Sequence, residues 1–431
     1  MKIKKETGIT LIALVITVIV LLILAGVTIA ALSGDNGILK RATEAKEKTK
    51  QAQEDESKTL SNMENMLGIY KFKNINKADT NPAETVPENS TVLEDDANKG
   101  IVIKDQNSNE WVWVEVPKTT VFSGLTIDTT QELTDQNYTD IKNKLIDYAG
   151  IYRNGSASQN RNNWTDEWYA KDGEKLVTAS TSNLTDEQKA LTNGCGLSYD
   201  EYKTAYQKML KSVYKYGGFW IGRYEAGIEG SIEDTNKART GSSERIEIGT
   251  SPKAINQKDA IPYNYVYCSE AELLAREMMQ NSNYTSSLMF GIQWDLVCKF
   301  LEVKSTSEIA DINVDSGTWG NYSNVTIKIT SDKAKKEGTP WNKITETKAV
   351  NSKILLTTGA SNETKKMNIY DFAGNEWEWT LEKTSDSIDP SVYRGGSYLY
   401  SGSDYPASYR VITNTTAGYG DSGFRTTFYA N

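Results

Sequence analysis

From Ile9 to Leu32 the chain runs 24 residues without one charge, ITLIALVITVIVLLILAGVTIAAL. No other feature limits the fold so tightly. As a helix this run would extend roughly 36 Å at about 1.5 Å per residue, against a hydrocarbon core of about 30 Å. A secretory apolar region is shorter, about 7–15 residues, and ends at a small-residue cleavage site. The sequence therefore predicts one membrane-spanning helix, residues 9–34, that stays with the protein; the alternative is a helix buried in a soluble core. Lys2, Lys4 and Lys5 precede the run. That places the N-terminus in the cytoplasm and everything after Leu32 outside the cell membrane.

The residues around the start of the run carry a resemblance. A short basic leader (residues 1–8) followed by Gly8-Ile9-Thr10-Leu11-Ile12 resembles a type IV prepilin. The resemblance implies that a prepilin peptidase cuts between Gly8 and Ile9 and that the new terminal amine is methylated. Pilins that polymerise have Glu as the fifth mature residue; here that position is Ala13. A membrane carboxylate is costly unless paired, so its absence removes an instruction for filament packing. Ser33-Gly34-Asp35-Asn36-Gly37 is a turn cluster. Residues 35–69, rich in Ala, Lys, Glu and Gln without Pro, read as a helical stalk or a surface helix of the head. Residues 70–100, with Pro82, Pro87 and many acidic and amide side chains, read as a linker.

Composition limits the chemistry. The chain has 48 basic and 57 acidic residues, a net charge of −9, and no His. A nucleic-acid coat needs a basic face, which this balance does not supply. Without His there is no Ser-His-Asp or Cys-His nucleophile and no imidazole metal ligand. The three cysteines, Cys195, Cys268 and Cys298, form no C-x-x-C pair and no disulfide framework. One bridge or three free thiols are both compatible with that count.

Residues 101–431 read as an α+β head. Glu110 to Val116 alternates as a strand and stops at Pro117; Tyr216 to Glu225 reads as a central strand. Helical stretches fall at about 129–148, 184–212, 270–279 and 293–301. Near the C-terminus come three motifs in order: Gly374-Asn375-Glu376-Trp377-Glu378-Trp379-Thr380, Arg394-Gly395-Gly396-Ser397, and Gly423-Phe424-Arg425. Trp377 and Trp379, two residues apart on a strand, point the same way and fill a core. Arg425 is suited to anchor a buried carboxylate such as Glu378 or Glu225.

Together the three motifs resemble the formylglycine-generating enzyme family, the sulfatase-modifying-factor domain, over about residues 210–431. Phe219-Trp220-Ile221-Gly222-Arg223 and Thr318-Trp319-Gly320-Asn321 fit more loosely. The resemblance implies a C-type-lectin-like fold. It also implies a calcium ion held by the side chains of Asp371 and Glu378 and the carbonyls of Gly374 and Glu376. Two carboxylates and two carbonyls are a start for a cation that wants six to eight oxygens. The alternative is that Asp371 caps a turn and Glu378 pairs with an Arg. The family's enzymes bind copper through two cysteines just after the RGGS motif. Those positions fall at about Tyr400 and Tyr405, and the segment has no Cys, so no copper is expected and catalysis is not.

About half the residues between Arg394 and Arg425 are Tyr, Ser or Gly. Tyr gives rigid amphipathic area, and Ser, Gly and Asn give adaptable hydrogen bonds, as in binding loops. The candidate contacts are Tyr398, Tyr400, Ser401, Ser403, Asp404, Tyr405, Tyr409, Asn414 and Tyr419. This layout also resembles the variable proteins of diversity-generating retroelements, which vary a C-terminal segment between such motifs. The expected function is recognition of an extracellular protein or glycan by a surface-displayed head. A formylglycine-generating oxidase and a structural minor pilin are the alternatives.

Overall fold

The computed structural model describes residues 11–33, 38–66, 68–154, 164–166, 194–279, 281–384 and 390–431. The chain divides into two compact units, Met1–Leu67 and Gly68–Asn431. The first holds two helices, α1 (Leu11–Ser33) and α2 (Ile38–Met66). The leader cut between Gly8 and Ile9 lies outside the described residues.

The membrane expectation is corrected here. Among the described residues no helix is long and apolar enough to cross a membrane. The side chains described in α1 run from Leu14 to Ala25, all exposed. A single-pass anchor, with a cytoplasmic N-terminus and an extracellular head, is therefore not supported.

The second unit is a mixed α and β domain built on two sheets. Its strands and helices, in chain order, are β1 (Thr91–Glu94), β2 (Val102–Lys104), β3 (Glu110–Glu115), α3 (Asp135–Ala149), α4 (Tyr199–Tyr216), β4 (Gly218–Gly222), α5 (Cys268–Met279), β5 (Tyr284–Leu288), α6 (Gly291–Lys304), β6 (Trp377–Thr384), β7 (Ser391–Arg394), β8 (Arg410–Thr413), β9 (Ser422–Phe424) and β10 (Thr426–Ala430). Short bridges and loops join them. Six strands make one antiparallel sheet in the order β1-β2-β3-β4-β10-β5. The other has the order β8-β7-β6-β9, with Trp164–Thr165 also pairing to β6; β6 and β9 run parallel.

Local rules explain the elements. Ser198 and Glu201 form a reciprocal capping box at the start of α4: Ser198 Oγ accepts the Glu201 N–H (3.3 Å), and Glu201 Oε2 accepts the Ser198 N–H (2.8 Å). The helix expected over 184–212 thus starts at Tyr199; residues 184–193 lie outside the described residues. Gly217 ends it at φ 72°, where a Cβ would collide with the Asp79 carbonyl. In β3, Trp111, Val112, Trp113 and Val114 are all buried, so the strand is covered on both faces.

The segment expected as a linker, 70–100, is built into this unit. β1 pairs with β2. The buried indoles draw the segment in: Trp113 Nε1 donates to Thr80 Oγ1 (2.8 Å) and Trp220 Nε1 to Thr85 Oγ1 (2.9 Å). Each pairing satisfies a polar atom that burial would otherwise leave orphaned.

Candidate functional site

The segment between the RGGS and GFR motifs is pinned from below. Arg394 is fully buried, and its guanidinium donates to Glu382 Oε2 (3.0 Å), Asp295 Oδ1 (2.8 Å) and the carbonyls of Ser408 and Tyr409 (both 3.1 Å). Arg410 reaches the same carboxylates, with Nε on Glu382 Oε1 (3.0 Å) and Nη2 on Asp295 Oδ1 (2.6 Å). Arg153 bridges Glu382 (2.7 Å) to Asp166 (2.9 Å). Asp166 in turn accepts the Gly291 and Ile292 N–H groups (2.6 and 2.9 Å), which open α6. Burial opposes the Glu382 charge, but Arg410, Arg394 and Arg153 outweigh it and hold the carboxyl at about 2. The loop backbone at 408–410 therefore sits on a charge-paired base.

Gly395 and Gly396 make the turn above that base, with φ of 92° and 79°. A Cβ on Gly396 would lie 2.7 Å from the Tyr322 ring, so the loop can pass only with hydrogen there.

On this base stands an aromatic group centred on Trp377. Its ring lies near Tyr405 (5.3 Å, edge-on), Tyr400 (6.0 Å), Tyr409 (6.5 Å) and Tyr393 (6.3 Å). Tyr400 meets Tyr405 at 4.7 Å, and Tyr405 meets Tyr409 at 4.9 Å. Edge-to-face contacts of this kind fix ring orientation without hydrogen bonds. Tyr400 is 39% exposed, and Tyr405 and Tyr409 are half-buried. Trp379, also against Tyr393 (4.1 Å), is sealed in the core with its Nε1 on the Val266 carbonyl (3.0 Å).

The expected contacts divide. Tyr400, Ser403, Asp404 and Tyr419 are exposed; Tyr405, Tyr409, Ser401 and Asn414 are half-buried. Ser401 Oγ accepts the Asp404 N–H (3.1 Å), shaping its own turn. Asn414 Oδ1 is occupied by the Thr416 N–H and hydroxyl (3.1 and 2.9 Å). Tyr398 is buried, which corrects its place among the outward contacts; its N–H donates to the Asn375 carbonyl (3.0 Å). Tyr419 is tied to Tyr265, whose N–H donates to the Tyr419 carbonyl (3.0 Å).

The calcium expectation does not fit the donor set. Glu378 gives both oxygens to Arg425 (2.7–3.2 Å). Asp371 accepts the Gly359 N–H and the Thr364 hydroxyl (both 2.7 Å), as a turn-stabilising side chain does. Gly374 packs its backbone on Asn321. Among the described residues no group of three or more acidic, Cys or His side chains could hold a metal ion. Glu376 was considered for its carbonyl, yet its side chain is the unusual part: it is buried and neither carboxylate oxygen has a hydrogen-bond partner.

The two positions expected to replace a copper-binding Cys pair, Tyr400 and Tyr405, are in ring contact. The cysteines are buried and unbridged elsewhere. Burial pushes the Cys268 thiol up to about 12 and raises Cys298 as well, which keeps both from the thiolate form. Sequence reasoning missed the Arg153–Asp166–Asp295–Glu382–Arg410 network, because its members are spread over 258 positions with no motif. Trp377 is buried, as the core reading expects, and its ring neighbours show it as well to be the centre of the aromatic group.

The model of the sulfatase-modifying factor enzyme 1-like domain family matches residues 198–428. Among solved structures, Treponema denticola variable protein 1 is similar at 13% identity, covering 49% of this chain and 84% of that one, with a TM-score of 0.28. No curated protein matches the chain.

Proposed function

The chain belongs to the sulfatase-modifying factor enzyme 1-like domain family, and from that membership we propose that residues 68–431 form a C-type-lectin-like ligand-recognition domain and not a thiol oxidase. The family holds both enzymes and inactive members. The observation that carries the reading is the ring contact of Tyr400 with Tyr405, where the family resemblance expects copper-binding cysteines. Phenols at those two places supply no soft ligand for Cu(I). They supply instead a rigid, half-exposed amphipathic patch, the material of a recognition surface.

The reading extends to the exposed loop residues. Ser403, Asp404 and Tyr419 point to solvent on loops, where substitution costs little stability, so the segment suits sequence diversification between a buried Arg394 and a buried Arg425. The ligand is a protein or a glycan. The test is a screen of the full chain against surface proteins and a glycan array, parent against the Tyr400→Ala/Tyr405→Ala/Tyr409→Ala variant. A ligand that the parent binds should be lost by at least about 100-fold, since two or three aromatic anchors of about 1–2 kcal/mol are removed. Equal binding by both proteins, or conversion of a peptide cysteine to an aldehyde by the copper-loaded parent, overturns it.

A further inference from the structure

The net charge of −9 hides one basic region. Residues 325–366 carry nine Lys, no Arg and four acidic residues. They fold around a small core of their own, made by Ile327, Ile329, Ala334, Ile344, Leu356 and Ala360. Two short antiparallel ladders frame that core: Ile327–Lys328 with Thr347–Lys348, and Lys335–Lys336 with Asn342–Lys343. Lys348 is taken up inside, its ammonium on the Tyr322 and Val325 carbonyls (2.6 and 3.1 Å). The other eight lysines are exposed or half-buried. Among the described residues, none of the nine joins an ion pair.

The fold holds these charges together against their own repulsion. Lys335 and Lys343 stand directly opposite each other in their ladder. Like charges so placed destabilise a strand pair, and a carboxylate at either position would relieve it. At the far end of the region the Lys365 ammonium lies 5.8 Å from the centre of the Tyr370 ring, and the Arg223 guanidinium lies 5.4 Å from the same centre. Glu110 answers Arg223 alone (2.8 Å). Burial, then Arg223 and Lys258, push the Lys365 ammonium down, so a third cation bears on the same spot. Of the region's own acids, Glu363 is turned to a backbone N–H, that of Lys328 (2.8 Å). A rigid surface of unmatched like charge concentrates the opposite charge around it.

The rest of the surface narrows the kind of anion. Trp341 is the region's one aromatic residue, and it is half-buried against the main core. Val350 is its one exposed large apolar side chain. The surface therefore lacks the guanidinium forks and stacking rings of a nucleic-acid site, and the aromatic anchors of a protein interface. Between the lysines the exposed side chains are hydroxyls and amides, such as Thr326, Asn342, Thr345 and Thr347. We infer that residues 325–366 form a docking surface for an acidic polysaccharide, with the ammonium groups on its sulfates or carboxylates and the hydroxyl and amide side chains on its hydroxyls. None of these residues belongs to the tyrosine group, so this surface is a second one and the two readings fail separately.

The test titrates the full chain with dextran sulfate, polygalacturonate and neutral dextran, at low salt and at about 300 mM salt, beside duplex DNA and phosphatidylglycerol vesicles. An acidic polysaccharide should bind, neutral dextran should not, and the added salt should weaken binding about tenfold or more. Lys328→Gln/Lys343→Gln/Lys353→Gln, all at exposed positions and with folding checked by thermal melting, should weaken binding about tenfold. The matching Lys328→Arg/Lys343→Arg/Lys353→Arg protein keeps the charge and should keep the affinity. Lys77→Gln/Lys208→Gln/Lys253→Gln removes the same charge at exposed positions outside the region and should leave binding unchanged. Tighter binding of dextran sulfate assigns the surface to sulfates, and of polygalacturonate to carboxylates; both support it. Acidic polysaccharides that bind no better than neutral dextran overturn the inference. So does binding that the regional Gln variant leaves intact or that both Gln variants weaken alike. DNA or vesicles held more tightly than either acidic polysaccharide overturn it as well.

Discussion

Glu272 shows how a single buried acid sets a pH limit. It lies on α5, 1% exposed, with Oε2 accepting the Leu288 N–H (2.8 Å). Burial pushes its carboxyl up to about 8, against the opposing pull of that hydrogen bond and of Arg276 and Lys383. An unfolded Glu titrates near 4.3. The folded state therefore holds the proton more tightly, so the stabilisation is full below about pH 4 and is lost as pH rises through about 8. Glu272→Gln keeps the acceptor for Leu288 and removes the charge. Its melting temperature should exceed the parent's by several degrees at pH 8.5 and match it at pH 4. A lower melting temperature at pH 8.5 would mean that the carboxylate is needed as an anion.

At the scale of elements, the decisive contact set joins β6, β7, β8 and α6 through Glu382, Asp295, Arg394 and Arg410. All four side chains are at most 1% exposed in these pairs. Such a network adds little net stability over apolar packing, but losing one member strands charges in a dry interior. Glu382→Gln should cost about 3–5 kcal/mol in denaturant unfolding. The Glu382 carboxyl is held below its unfolded value, so its stabilisation is present above about pH 4 and is lost as pH falls through about 2. The variant should therefore lose the parent's dependence on pH in that range. An unfolding free energy within about 1 kcal/mol of the parent's would show that the remaining charges repair the network.

At the scale of the whole domain, Arg425 holds the two sheets together. It sits between β9 of one sheet and β10 of the other. Its guanidinium binds Glu378 in β6, the Gly222 carbonyl in β4 (3.0 Å) and the Tyr370 carbonyl (2.9 Å). Arg425→Ala should cost about 3–5 kcal/mol because Glu378 is left buried and unpaired, and Arg425→Lys should recover only part of that, since an ammonium cannot fill the fork. Intrinsic fluorescence and far-UV dichroism should follow one transition in the parent. An Arg425→Ala protein as stable as the parent would assign the joining of the sheets to apolar packing alone.

Much of the domain was legible in order of residues alone. The strand ending at Pro117, the Gly-Gly turn after Arg394 and the pairing of Arg425 with a carboxylate are consequences of local geometry or of residue chemistry. The absence of His and of a Cys pair after the RGGS motif is likewise fixed by composition. Tertiary structure decided what local rules cannot reach. Residues 70–100 carry a linker's composition, but buried indoles at Trp113 and Trp220 recruit their hydroxyls into the domain. Glu378 and Asp371 have the right spacing for a cation, but Arg425 and the Thr364 turn claim their oxygens first. A buried oxygen takes whichever partner the folded chain brings within about 3 Å, and that choice depends on residues far away in sequence.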